Sequence, residues 1–197
     1  FFQDTDPVDW TKLTTYAGIH QLYKDLIALR RNFAGATKGL QGPNTNVFHV
    51  NDTDKMIAYH RWDQGGPGDD VVVMTNFANV DDPAYRIGLP QPGTWYVHFN
   101  SDSTLYSPDY TNAGSLQVDT DAIPQDGLAQ SAELAIAPYS ALILSQQPIV
   151  AGPNPDLDGD GMVGFSDLVL LLAAWGQTGH AGDLDGDGMV GFGDVVA

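Results

Sequence analysis

A twelve-residue segment that occurs twice constrains this chain more than any other feature. The string DLDGDGMVGFSD at 156–167 returns as DLDGDGMVGFGD at 183–194, identical at eleven of twelve positions and offset by 27 residues. Two copies of one unit imply two copies of one local structure. Each copy sets carboxylates at loop positions one, three, five and twelve, with Gly at six. These are Asp156, Asp158, Asp160, Gly161 and Asp167, then Asp183, Asp185, Asp187, Gly188 and Asp194. The spacing suits Ca2+, a hard cation that takes about six to eight oxygens. Four come from the side chains, one from the carbonyl of Met162 or Met189 at position seven, and one from a water near Gly164 or Gly191 at position nine. The bland alternative is a pair of polar Asp-Gly turns. Self-repulsion opposes it, because residues 156–197 hold eight Asp and no Lys or Arg to neutralise them. Mg2+ demands near-octahedral geometry and keeps its waters, so it fits a long loop of mixed ligands less well. Two Ca2+ sites are therefore predicted.

Charge sets this tail apart. The chain of 197 residues carries 25 acidic against 8 Lys and Arg residues, a net charge of −17, and Glu133 is its only glutamate. Of that charge, −8 lies in the last 42 residues and −9 is spread over the other 155, which argues against an evenly salt-adapted surface. Such a balance disfavours nucleic acid as a partner. No Cys is present, which removes disulfides, thiol chemistry and Cys-based zinc sites. A hydrophobic fraction of 43% with 10% aromatics fills a real core, and one to two domains are predicted. No apolar run reaches the roughly 18 residues of a membrane span. Phe1 follows no Met, basic n-region or apolar stretch, so the chain is read as beginning inside a longer precursor or after processing.

Hydropathy patterning divides what precedes the tail. In 9–33, Tyr16, Ile19, Tyr23, Leu26 and Arg30, with Leu22, Leu29 and Phe33 beside them, recur at spacings of three and four, which predicts an amphipathic helix. Asp9 or Thr11 suits its start, Arg30 and Arg31 its negative C-terminal end, and Gly35 its stop. From about Asn46 the period becomes two. Eight strands are predicted, at 47–50, 56–62, 71–77, 85–87, 95–100, 116–118, 134–137 and 141–144, enough for an antiparallel sandwich. Breaks such as Gly65-Gly66-Pro67-Gly68 and Pro90-Gln91-Pro92-Gly93 cannot easily continue a ladder. Pro148, Pro153 and Pro155 stiffen a linker at 147–155. The predicted organisation is a helical segment at 1–39, an all-β domain at 40–146, that linker, and a small α calcium module at 156–197.

Other candidate chemistry is sparse. His20, His49, His60, His98 and His180 are dispersed, with no second His at ligand spacing. The pairs Asp69-Asp70 and Asp81-Asp82 are read as solvating turns. Trp62, Trp95, Tyr96 and Tyr139 are candidates for a sugar-stacking surface, with core packing as the more frequent role of alternating sheet aromatics. No nucleophile elbow, P-loop or dinucleotide fingerprint is present.

Two resemblances follow from these residues. A full EF-hand needs a helix entering each loop, yet Pro153-Asn154-Pro155 and Gly179-His180-Ala181-Gly182 precede the two loops. A calcium loop followed only by an exiting helix, duplicated, resembles the type I dockerin over 156–197. That resemblance implies a cohesin-type protein partner, an extracellular or cell-surface location, and recognition at loop positions ten and eleven. Here those are Phe165 and Ser166, and Phe192 and Gly193, in place of the family's polar pair, and Phe165 and Phe192 are equally well read as core residues. After position eleven of the second loop only Asp194-Val195-Val196-Ala197 remains, so the module reads as truncated. A one-turn helix cannot cover Leu168, Leu171, Leu172 and Trp175, and the second site is predicted to be the weaker.

The strings LYKDLIALRRNF, NTNVFHVNDTDKMIAYHRW, VVVMTNFAN, GTWYVHFNSDS and APYSALILSQ resemble the end of an alpha-amylase superfamily glycoside hydrolase, and within it 1,4-alpha-glucan branching enzymes. The resemblance implies that the helix over 11–32 closes a (β/α)8 barrel and that 40–146 is the C-terminal all-beta domain. A barrel takes about 250 residues, and the family's catalytic carboxylates sit on it, upstream of this segment. No catalytic residue is therefore assigned. Arg61-Trp62-Asp63 matches the family's nucleophile strand only by coincidence. The implied function is a non-catalytic C-terminal part of a secreted alpha-glucan-active enzyme, a branching enzyme or amylase. A non-enzymatic calcium-dependent cell-surface or glycan-binding module is the alternative.

Overall fold

The structure is a computed structural model that describes residues 9–149, 155–159, 162–185 and 187–195. Residues 150–154 of the predicted linker lie outside the described residues, as do Asp160 and Gly161 of the first loop. The chain divides into two compact units, Phe1–Ile149 and Val150–Ala197.

The first unit opens on two helices, α1 (Lys12–Thr15) and α2 (Ala17–Arg30). The sequence predicts one helix here. Tyr16 instead leaves helical geometry at φ −120° and ψ 42°, following two threonines whose branched side chains crowd the preceding turn. Asp9 starts α1, its Oδ1 accepting the Thr11 N–H at 3.1 Å and the Thr11 hydroxyl at 2.6 Å. The stop of α2 falls at Asn32, ahead of the predicted Gly35. Asn32 is left-handed at φ 55°. Its N–H reaches Leu29 O at 3.0 Å and the Phe33 N–H reaches Ala28 O at 3.1 Å, a Schellman closure.

Eight strands follow, at the eight predicted places: β1 (Asn44–Asn51), β2 (Met56–Trp62), β3 (Val71–Asn76), β4 (Asp82–Leu89), β5 (Thr94–Asn100), β6 (Gln117–Asp119), β7 (Gln130–Ile136) and β8 (Ala141–Ser145). All named pairings are antiparallel. They form a six-stranded sheet in the order β1-β2-β3-β8-β5-β6 and a two-stranded sheet of β4 and β7. The main core lies between the sheets, where Ala58, Val72, Met74, Trp95, Leu142 and Leu144 meet Ile87, Leu89, Leu134 and Ile136.

The large sheet is covered on its other face as well. Val71, Val73, Phe99 and Ile143 pack with Leu29 and Leu40, and with the half-buried Leu22, Leu26 and Tyr106. Burial on both faces explains why β3 reads as a continuous apolar run and does not alternate. On β5, Trp95 serves one core and Phe99 the other, although both are odd-numbered. A register shift between Val97 and Phe99 turns the strand over. Packing against this sheet consumes Leu22 and Leu26, and among the described residues the apolar side chains left exposed on the helical segment are Trp10, Leu13, Tyr16, Ile19, Tyr23 and Ile27.

The second unit contains α3 (Phe165–Ala173) and the single turn α4 (Phe192–Val195). Leu171, Ala174 and Val190 form its small core, with Leu157 and Leu184 against it. Leu168, Leu172 and Trp175 stay exposed.

Candidate metal centre

The two loops of the second unit share one hydrogen-bonding scheme. Asp167, in the first turn of α3, accepts the N–H of Leu157 at 2.7 Å and of Asp158 at 3.1 Å on Oδ1, and of Gly164 at 2.6 Å on Oδ2. Asp194 does the same in α4. Its Oδ1 accepts from Leu184 and Asp185, and its Oδ2 from Gly191 at 2.6 Å. The carboxylate at position twelve is thus a clasp that ties the start of each loop to the helix leaving it. These N–H donors, Gly164 foremost for Asp167 and Gly191 for Asp194, hold both carboxyls below the ordinary carboxylate value.

The clasps bring carboxylates together. Oxygens of Asp156, Asp158 and Asp167 lie within 4.8 Å of one another, and so do those of Asp183, Asp185 and Asp194. Further donors shape the loops without entering these sets. Asp156 Oδ1 accepts Gly159 N–H, Asp183 Oδ2 accepts Gly188 N–H, and Asp185 Oδ1 accepts Asp187 N–H. Asp187, at position five, is not in the second set, and its Oδ1 takes the Met189 N–H at 2.9 Å. Asp160 lies outside the described residues. Met162 and Met189 follow the turns with exposed side chains, and Gly188 adopts φ 97°, a conformation open to Gly.

One observation tests whether this donor set fits a cation. Among the described residues, Asp183 Oδ1 is buried and has no hydrogen-bond partner. A buried carboxylate oxygen without a donor is costly, and a cation satisfies it. The two three-carboxylate sets can hold metal ions, and oxygen-only ligation suits a hard divalent ion.

Other sequence candidates resolve into structural roles. Asp69 and Asp70 are buried and do not solvate turns as predicted. Asp69 accepts the N–H groups of Asp63, Gln64 and Gly65, and Asp70 accepts from Gly66 and pairs with His60 at 2.9 Å. Arg61 bonds Gly42 O and Asp63 pairs with Lys38, so Arg61-Trp62-Asp63 ties the end of β2 to the segment that precedes β1. Trp95 is core. His60 stacks on Trp62 with ring centres 4.3 Å apart, and Tyr139 is exposed. A His49, Tyr85 and Asp126 network was not foreseen, because its members lie far apart in sequence. His49 joins Asp126 and the Tyr85 hydroxyl, each at 2.8 Å.

Comparison with known proteins places the first unit. The family model for the alpha amylase C-terminal all-beta domain matches residues 48–147, half of the chain, from β1 through β8. The chain belongs to this family. Among relatives of the alpha-amylase C-terminal domain, the 1,4-alpha-glucan branching enzyme GlgB of Cupriavidus pinatubonensis is 30% identical over 141 residues, covering 70% of this chain and 19% of that protein. The GlgB of Frankia casuarinae is 31% identical over 150 residues, covering 73% and 18%. The GlgB of Jannaschia sp. is 34% identical over 132 residues, covering 66% and 18%. The chain spans about a fifth of the length of the curated relatives it matches. Among the described residues, no helix is long and apolar enough to cross a membrane.

Proposed function

We propose that this alpha-amylase C-terminal domain is the non-catalytic accessory region of a secreted alpha-glucan-active enzyme, a branching enzyme or amylase, and that a duplicated dockerin-like calcium module follows it. The family match over 48–147, with branching enzymes as relatives, carries the enzymatic half of the reading. The uncovered face of Trp10, Ile19, Tyr23 and Ile27 supports it, since a (β/α)8 barrel preceding this region would supply the missing cover. The catalytic carboxylates would then stand on that barrel, and the β-sandwich would brace it.

The calcium half rests on the paired clusters and the orphaned oxygen of Asp183. Asp156, Asp158 and Asp167 would hold one Ca2+ with Asp160 and the Met162 carbonyl. Asp183, Asp185 and Asp194 would hold the other with Asp187 and the Met189 carbonyl. Bound Ca2+ supplies charge neutralisation. Phe165 and Phe192 are 81% and 74% exposed at matching positions, which favours contact with a cohesin-type partner over the core reading. Extending the reading frame upstream of Phe1 tests the enzymatic half. A barrel bearing its carboxylates supports it, and further sandwich repeats in that place contradict it.

A further inference from the structure

A cleft of about 420 Å3 lies between the turn joining β7 to β8 and the loop that follows β5, within the roughly 300–1,000 Å3 of small-molecule sites. Tyr139 and Tyr110 border it, 69% and 44% exposed. Tyr139 is held left-handed at φ 48°, a conformation that costs a bulky side chain about 1–2 kcal/mol. Burial of the ring does not offset that cost.

Both walls are rigid. Asn76, fully buried, donates to Val80 O and Ala137 O, and the Ser140 hydroxyl donates to Ala137 O, which fixes the turn carrying Tyr139. Opposite, Asp102 Oδ2 accepts the Thr111 hydroxyl at 2.6 Å and the Ala113 N–H at 3.0 Å, which closes the loop carrying Tyr110. The loop is anchored to α2 by the Tyr106 hydroxyl on Asp25 at 2.8 Å, and Gly18 leaves room for the Tyr106 carbonyl. Ser101 and Ala141 bond the two walls to each other, N–H to carbonyl at 3.0 Å and N–H to hydroxyl at 2.8 Å. Exposed rings on fixed turns form a preorganised surface.

The lining selects the chemistry of the occupant. It contains one carboxylate, Asp102, several hydroxyls, and no Lys, Arg or His. Among the described residues, Asp102 Oδ1 takes no protein donor. An anion is excluded by charge. A neutral ring with an apolar face for Tyr and outward hydroxyls for Asp102 and Thr111 matches every group present.

We propose that this cleft binds a segment of alpha-glucan, with Tyr139 and Tyr110 stacked on pyranose faces and Asp102 accepting from sugar hydroxyls. The choice of alpha-glucan among sugars rests on the enzymatic reading above. Calorimetric titration of the full chain with maltoheptaose in EDTA tests it, with cellohexaose as the comparison. Saturable maltoheptaose binding is expected, weakened at least about tenfold, or 1.4 kcal/mol, in both Tyr139→Gly and Asp102→Asn. Tyr139→Gly relieves the left-handed strain, so its thermal midpoint is expected to hold or rise, which separates lost binding from lost folding. No maltoheptaose binding by the native chain, or equal affinity in Tyr139→Gly, overturns the site. Equal cellohexaose affinity overturns the assignment to alpha-glucan. A barrel found upstream together with unbound maltoheptaose would defeat the cleft alone and leave the enzymatic reading standing.

Discussion

His98 lies on β5 with Nε2 2.8 Å from Ser145 Oγ, and burial holds its imidazole down at about 4. The ordinary value is 6.5, so between the two the unfolded chain binds a proton that the folded chain refuses. The stability contributed by neutral His98 is fully present above pH about 6.5 and is lost as pH falls toward 4. Urea midpoints measured in EDTA from pH 7 to 4 are expected to decline, and His98→Gln is expected to flatten that decline. Identical slopes in the two proteins would contradict the assignment. Asp167 and Asp194 are depressed in the same direction from 3.8, so their contribution is present above about pH 4 and fails only in stronger acid. Asp167→Ala leaves three amides without an acceptor. Hydrogen exchange at Leu157, Asp158 and Gly164 is expected to quicken, while Leu184, Asp185 and Gly191, clasped by Asp194, keep their protection. Neither clasp is visible in the loop spacing, which assigns position twelve to the metal and says nothing of the N–H groups it also collects.

Helix and strand ends show what patterning reports and what it misses. Asn32 combines a left-handed backbone with an Oδ1 that accepts the Thr37 N–H at 2.7 Å. Asn32→Ala loses both the tolerance and the acceptor, and is expected to cost about 1–2 kcal/mol in chemical denaturation. Leu134→Ala, between the two sheets, is expected to cost about 2–5 kcal/mol. The eight strands were legible because short apolar runs alternate with Gly and Pro breaks. Their division into sheets of six and two was not, because the partners of β4 and β8 are remote in sequence. Which residues of the helix face stay uncovered was not legible either, for a related reason. Spacings of three and four put Leu22, Leu26, Ile19 and Tyr23 on the helix pattern alike, but only the fold shows that Leu22 and Leu26 are spent on the sheet. Asp69 and Asp70 looked like solvated turn residues until the hairpin wrapped its N–H groups around them.

At the scale of the molecule, an acidic chain of net charge −17 carries one apolar face on its helical segment and one duplicated carboxylate module. Replacing Ile19, Tyr23 and Ile27 by Ser removes exposed apolar area without opening a core. Sedimentation velocity is expected to show less self-association at high concentration, with stability changed by no more than about 0.5 kcal/mol per site. A large loss of stability would mean that the face is already covered within this chain. The calcium assignment is tested most directly by calorimetric Ca2+ titration of the full chain beside Asp158→Ala and Asp185→Ala. Two saturable sites are predicted, the second weaker, with each substitution abolishing or weakening one and sparing the other. No heat of binding at millimolar Ca2+, or titrations indifferent to both substitutions, would contradict it.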